Sequence, residues 1–223
     1  VNNTVANITS GAGVVINAGT NNHVVRNNVL YGNNYGIMLS DWLPGLSVFG
    51  NTITNNTIMA RNKSQVPMVF ASDDGNYSMV ARSDSNKLVN PYDSIVVKHI
   101  WSTQKNFSLN TWRAETGNDI NSTKENYRWS EGVDSSFIIK NTTNHPLSLK
   151  FENTRTATGV PIDSVTIAPF NSVVLIGSQK TLRSEAGNGT ETPQEFQLLS
   201  NFPNPFNPST TITFMVPTRA IIN

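Results

Sequence analysis

Two short segments carry side chains with the means to do chemistry. Asp41 and Trp42 sit side by side in a turn-forming stretch, SDWLPG, directly after an apolar strand pattern. A carboxylate beside an indole suits a sugar, because a pyranose offers hydroxyls to the oxygens and an apolar face to the ring. Asp73 and Asp74 form the second group. Neighbours on an extended chain point to opposite sides, so these two carboxylates are not by themselves the facing acid and base of glycoside cleavage. A glycosidase site there needs a partner from elsewhere in the chain. Each group also has a structural reading: Asp41 supports its turn, Trp42 packs on a neighbouring loop, and Asp73 with Asp74 supplies turn and cap chemistry.

Other catalytic patterns are missing. His23, His99 and His145 are far apart and fit no metal-ligand spacing of the HExxH kind, so each reads as a surface or half-buried polar residue. Gly11 and Gly13 lack the helix and further glycine of a dinucleotide loop. The chain has no cysteine, which excludes thiolate nucleophiles, disulfides and Cys-ligated metal centres. No cofactor is expected, and the residue spacing gives a calcium ion no support.

The charge balance narrows the partners. Lys and Arg total 16 against 15 Asp and Glu, a net charge of +1, so no long-range field gathers polyanions and nucleic acid is not expected. Charged residues make up only 14% of the 223, while Asn, Ser and Thr crowd most segments, a profile suited to a turn-rich all-β chain. No run reaches the 18 or so apolar residues of a membrane-spanning helix. The amino end, VNNTVANITS, has neither Met nor a signal region and reads as the interior of a longer protein.

What positions the candidate residues is a repeat. HVVRNNVLY (23–31) aligns with SVFGNTIT (47–54) so that Val24 meets Val48, Asn27 meets Asn51 and Val29 meets Ile53, each pair 24 apart. The same shift carries VNNTV (1–5) onto VRNNV (25–29). A second strand recurs at a spacing of 23, GVVI (13–16) matching GIML (36–39). The LxxLxL signature of a leucine-rich horseshoe is missing, and short apolar strands broken by Asn and Gly fit a parallel β-helix. Circuits about 4.8 Å apart then stack Val5, Val29 and Ile53 in one inward apolar ladder, with Asn3, Asn27 and Asn51 as an amide ladder at a bend. After Ile58 the register lapses through MARNKSQVPM, with apolar segments returning at MVF (68–70) and IVV (95–97). The segment FSLNTWRAETGNDINS predicts a helix over 108–116, with Ser108 as N-cap, Gly117 as stop, and Trp112 buried against the sheet end.

These residues carry a resemblance. ASDDGNY, a strand and SLNTWRAETGNDINS together resemble the closing segment of bacterial right-handed parallel β-helix (PbH1 repeat) proteins, many of them carbohydrate-active, over residues 1–122. Separate alternating strands follow at FII, LSLKF, SVTI and SVVLI, with Leu147, Leu149 and Phe151 on one side. They resemble the small antiparallel β cap module, here 123–176, that covers the last coil and its unpaired edges. Residues 177–195 are nearly devoid of apolar side chains and read as a flexible linker.

The stretch FQLLSNFPNPFNPSTTITFMVP, in 196–223, closely resembles the opening of the type IX (Por) C-terminal sorting domain. Phe202, Pro203, Asn204, Pro205, Phe206, Asn207 and Pro208 match its YPNPFNP-like motif. Three prolines fix φ, two Asn satisfy local backbone groups and two Phe anchor the turn to a sheet. A proline-rich recognition ligand is the rival reading. The sequence departs from the family by ending at Asn223, before the later strands of the β-sandwich-like domain and its basic terminal segment.

The fold class expected is therefore all-β: right-handed parallel β-helix coils, a small antiparallel β cap module and a truncated sorting domain. The resemblance implies a bacterial protein, secreted or attached to the outer-membrane surface, whose partners are polysaccharide or cell-surface glycan and the type IX secretion machinery. It implies a monomer without a membrane span. If the parent is an enzyme, it is a polysaccharide lyase or glycoside hydrolase whose catalytic residues lie mostly upstream. The alternative is a non-enzymatic adhesin or structural stalk.

Overall fold

The computed structural model describes residues 1–40, 48–71, 77–100, 104–129 and 135–177, and the short strands Arg183–Ser184, Gln197–Leu198 and Phe214–Met215. Apolar triplets bounded by Asn and Gly become short strands, visited in a fixed rotation. The first circuit passes through β1 (Thr4–Ala6), β2 (Ala12–Ile16) and β3 (Val24–Arg26). The second uses β4 (Val29–Tyr31), β5 (Tyr35–Ser40) and β6 (Asn51–Thr54). The third uses β7 (Thr57–Met59), β8 (Val66–Ala71) and β9 (Ala81–Asp84), with one helical turn, α1 (Tyr77–Val80), before β9. A fourth opens with β10 (Lys87–Val89) and β11 (Ile95–His99). Like strands pair in parallel as β1-β4-β7-β10, β2-β5-β8-β11 and β3-β6-β9, so the chain is mostly β with three parallel sheets.

The 23-residue match holds, since Val14, Val15 and Ile16 lie beside Ile37, Met38 and Leu39. The 24-residue match does not. Val5 pairs with Leu30, Leu30 with Ile58 and Ile58 with Leu88, and this is the inward apolar row. Val29 instead lies between Thr4 and Thr57, half-buried on the opposite face, and Ile53 pairs with Val25 in another sheet. The alignment failed because it matched Asn27 to Asn51, which belong to different corners. The true repeat is the Asn-Asn pair ahead of β1, β4 and β7, continued as Ser-Asn ahead of β10. The register does not lapse after Ile58 either, because β7 to β11 keep their places and only the turns lengthen.

That corner is built the same way each time. Asn2, Asn27, Asn55 and Ser85 hold the left-handed backbone conformation, with φ between 56° and 58°, which Asn tolerates better than most residues. The next residue turns inward as Asn3, Asn28, Asn56 and Asn86, the last three of them buried. Asn56 Oδ1 accepts from the backbone N–H of Asn28 at 3.0 Å and from its Nδ2 at 2.8 Å. Asn56 Nδ2 in turn donates to Asn86 Oδ1 at 3.0 Å and to the Val25 carbonyl at 2.9 Å. Successive steps of this ladder are 25, 28 and 30 residues long in sequence, so the corner repeats while the intervening turns grow.

The stack is closed by its own continuation. β12 (Lys105–Ser108) reverses to pair antiparallel with β11 and leads into α2 (Leu109–Thr116). The Ser108 side chain accepts from Thr111 N–H, and Gly117, at φ 70°, ends the helix by donating to the Arg113 carbonyl. Trp112 is fully buried among Phe70, Tyr77 and Phe107. Its indole Nε1 donates to Asp119 Oδ2 at 2.9 Å. The other Asp119 oxygen accepts from Ser83 Oγ at 3.0 Å, Asn86 Nδ2 at 3.1 Å and Ser122 Oγ at 2.5 Å, so a buried carboxylate terminates the amide ladder. Thr123 then takes the next strand position beside Lys87, its carbonyl accepting from Leu88 N–H at 2.9 Å. Farther on, buried Glu125 accepts from Asn90 N–H at 3.0 Å and pairs with Arg128.

The antiparallel module comprises β13 (Ser136–Lys140), β14 (Leu147–Thr156), β15 (Pro161–Ile167) and β16 (Ser172–Ile176), in the order β13-β16-β14-β15. Leu149 and Phe151 enter its core with Phe137, Ile167 and Leu175, and Leu147 packs against them. Its strands do not lie over the last circuit, which is met by residues 105–125, the last three of them within the expected 123–176 module. Instead it lies against the outer face of the β1-β4-β7-β10 sheet, where Tyr31, Met59 and Val89 meet Ala157, Val174 and Ile138. A three-residue strand has two faces: the middle residue serves the inner core, and the third residue, Ala6, Tyr31, Met59 or Val89, joined by Val29, serves the module. Within the expected linker, β17 (Arg183–Ser184) pairs antiparallel with Leu149 and Lys150. The chain divides into two compact units, Val1–Ser184 and Glu185–Asn223. In the second, β18 (Gln197–Leu198) pairs antiparallel with β19 (Phe214–Met215).

Two tests follow from this packing. Asn56→Ala strips hydrogen bonds from two buried neighbours and a carbonyl and is expected to cost about 2–5 kcal/mol in urea unfolding. A loss below about 0.5 kcal/mol would remove the ladder from the stabilising interactions. Burial of Glu125 raises its pKa above the ordinary carboxylate value, against the opposing pull of hydrogen bonds and Arg128. The folded state then holds this proton more tightly than the unfolded chain, so the Glu125 contribution is present at low pH and lost as pH rises through the folded pKa. Relative to Glu125→Gln, the wild type should therefore gain melting temperature as pH falls from about 7.5 to about 4. A pH-independent difference would contradict this.

Candidate functional site

The docking of the module leaves a groove along one flank of the sheet it covers. One wall is the left-handed corner, where the exposed amides of Asn27 and Asn55 stand ahead of β4 and β7. The floor includes Val29 and Thr57, and the far wall is the end of β15 and the start of β16, including Thr166 and Asn171. Thr4 Oγ1 and Ser172 Oγ, 2.5 Å apart, tie the stack to the module at this flank. The hollow measures about 360 Å3, and every side chain lining it is uncharged. Amides and hydroxyls that both donate and accept, set beside valine and isoleucine, match a neutral polyhydroxylated ligand with an apolar face. The groove offers no general acid or base among these groups.

The opposite flank is different in charge. There the chain leaves β4 through Gly32 and leaves β7 through Ala60 and Arg61. The Arg61 guanidinium lies 5.4 Å from the centroid of the Tyr31 ring, and its Nη1 donates to Asn7 Oδ1 at 3.0 Å. Arg61 and Asn7, together with Thr9, Gly32, Asn62 and Gln65, enclose about 310 Å3. Burial raises the Tyr31 pKa, opposed by its hydrogen bond to Ser136 and by the nearby Arg61 charge. The phenol Oη donates to the Ser136 carbonyl at 2.7 Å, so the ring is held from the module side while its face carries the guanidinium. A third hollow, about 630 Å3, lies at the register shift of β14 and includes Arg155 and Asp163. Arg155 Nη1 is already engaged there by the Gly159 carbonyl at 3.2 Å.

The residues singled out from the sequence fall elsewhere. Asp41, Trp42, Asp73 and Asp74 lie outside the described residues, as does the 202–208 motif. His23 and His145 are exposed, whereas His99 is buried, its Nδ1 2.9 Å from Tyr77 Oη. Among the described residues no three His, Asp or Glu side chains group as metal ligands, and no helix is long and apolar enough to cross a membrane. The groove residues carried a signal in the repeated asparagines, but the sequence places Asn27 in a ladder with Asn3 and Asn51 and does not single out Asn55. Arg61 carried none, because its partners Tyr31 and Asn7 come from earlier circuits.

Comparison with known proteins gives no match: no family model, no curated protein and no solved structure matches the chain.

Gly32 tests the geometry of the charged flank. It sits at φ 64°, and a Cβ built there meets Arg61 Cδ at 2.6 Å and Asn7 Oδ1 at 3.0 Å. Gly32→Ala is expected to destabilise by about 1–3 kcal/mol through backbone strain and displacement of the arginine. An unchanged urea midpoint would show that this corner relaxes freely.

Proposed function

We propose that the described circuits belong to a right-handed parallel β-helix of a secreted or surface-attached bacterial protein, and that the groove at Asn27 and Asn55 binds polysaccharide. Three parallel sheets visited in rotation support the β-helix, and strand–crossover–parallel strand connections are right-handed in nearly all proteins. The observation that carries the ligand class is the uncharged, amide-lined groove between stack and module. Glycans are recognised by convergent neutral hydrogen bonds beside apolar surface, and this groove supplies both. The FPNPFNP sequence supports the opening of a type IX sorting domain in residues 196–223, which would direct export and surface attachment. Asp41, Trp42, Asp73 and Asp74 remain candidate sugar contacts by their chemistry.

Asn27 and Asn55 permit a clean test, because glycine adopts their backbone conformation without strain. The double variant Asn27→Gly, Asn55→Gly in the full chain is expected to keep its melting temperature within a few degrees and lose about tenfold in affinity for neutral oligosaccharides. Calorimetric titration with xylan, arabinan and glucan oligomers reads the effect. Wild type that binds none of these, or a variant that binds as well, would refute the groove assignment. New reducing ends or unsaturated products from polysaccharide incubated with the protein would assign it to hydrolases or lyases, and binding without turnover to adhesins.

A further inference from the structure

We infer that the hollow at Arg61 is a separate anionic subsite, one that takes the carboxylate or sulfate ester of an acidic sugar. The inference rests on the glycan-binding reading above and adds the charge of the ligand. Its basis is an exposed arginine held at its backbone, stem and head. At the backbone, Arg61 N–H donates to Gln65 Oε1 at 2.6 Å, and buried Gln65 is itself anchored by donating Nε2 to the Gly32 carbonyl at 2.8 Å. Along the stem, Cγ and Cδ occupy the space that a side chain at residue 32 would fill. At the head, the Tyr31 ring and Asn7 Oδ1 fix the plane of the guanidinium.

A free surface arginine loses about 2 kcal/mol of rotamer entropy when immobilised, and one already held has less to lose on binding a ligand. Asn7 engages one terminal nitrogen, and it is an amide rather than a carboxylate, so among the described residues no carboxylate offsets the positive charge. The rest of the lining, including Thr9, Asn62 and Gln65, is neutral as well. A planar fork with a net positive charge, over a hollow near the lower size limit of ligand pockets, fits a two-oxygen anion. Sugar hydroxyls adjoining that anion find Asn62 and Thr9 within the same hollow.

The site is tested on the full chain by titration with oligogalacturonate, with a sulfated galactan oligomer and with a neutral oligomer of equal length. Binding of at least one acidic oligomer is expected, weakening as salt rises. Arg61→Gln should lose tenfold or more, and Arg61→Lys, which keeps the charge without the fork, should lose less. Neutral binding at the groove should be unchanged in both. Preference for the uronate assigns a carboxylate, and preference for the sulfated oligomer assigns a sulfate ester. If acidic oligomers do not bind, or bind equally to Arg61→Gln and Arg61→Lys as to wild type, this subsite is refuted while neutral binding leaves the groove standing. If no oligomer of any class binds, both readings fall.

Discussion

Every circuit of this chain must turn a corner without leaving a buried backbone group unpaired, and a column of asparagine amides meets that demand. At each step one carbonyl oxygen receives both the backbone N–H and the side-chain NH2 of the asparagine in the preceding layer. The amide that gives that oxygen also donates onward, so the column is directional and each member is satisfied by two others. An apolar residue there would leave the donors of its neighbour without acceptors inside a dry core. The left-handed residue ahead of each amide aims it inward, which explains why the two positions repeat as a pair.

How much of this could be read beforehand depended on where the signal was local. The strand composition, the 23-residue match, the Ser108 and Gly117 caps and the alternation of Leu147, Leu149 and Phe151 are properties of adjacent residues, and they correspond to what the structure contains. The misjudged register came from two corners that both use asparagine. Asn51 also caps, accepting from His23 N–H, but it opens β6 rather than β7. The face of Val29 could not be deduced without knowing that a second sheet lies outside the first, since an apolar residue serves either core. Nothing adjacent in the sequence marks Asp119 or Glu125, yet both are buried because the end of a stack must be sealed by groups that satisfy its last donors.

The sites are consequences of the same arrangement. A module lying on the outer face of three-residue strands covers little more than the strands, so the corners at either end stay exposed beside it. One end presents Asn27 and Asn55 and is neutral; the other presents Arg61 and is cationic. None of these three side chains belongs to the ladder itself. The framework can therefore hold its shape while the residues at its flanks differ in chemistry, which is how rigid scaffolds with variable turns acquire binding roles.

The reversal at β12 bears on how the protein behaves in a crowd. A column of parallel strands has polarity, and its final layer is a template on which another molecule's strands could nucleate end to end, as in fibrils. Running Lys105–Ser108 against the direction of β11 ends the uniform parallel stacking of that sheet, and α2 follows directly behind it. The last strand also bears Lys105, exposed and paired with Glu115 of α2, and a lysine on an edge is one of the devices that discourage a further strand from adding.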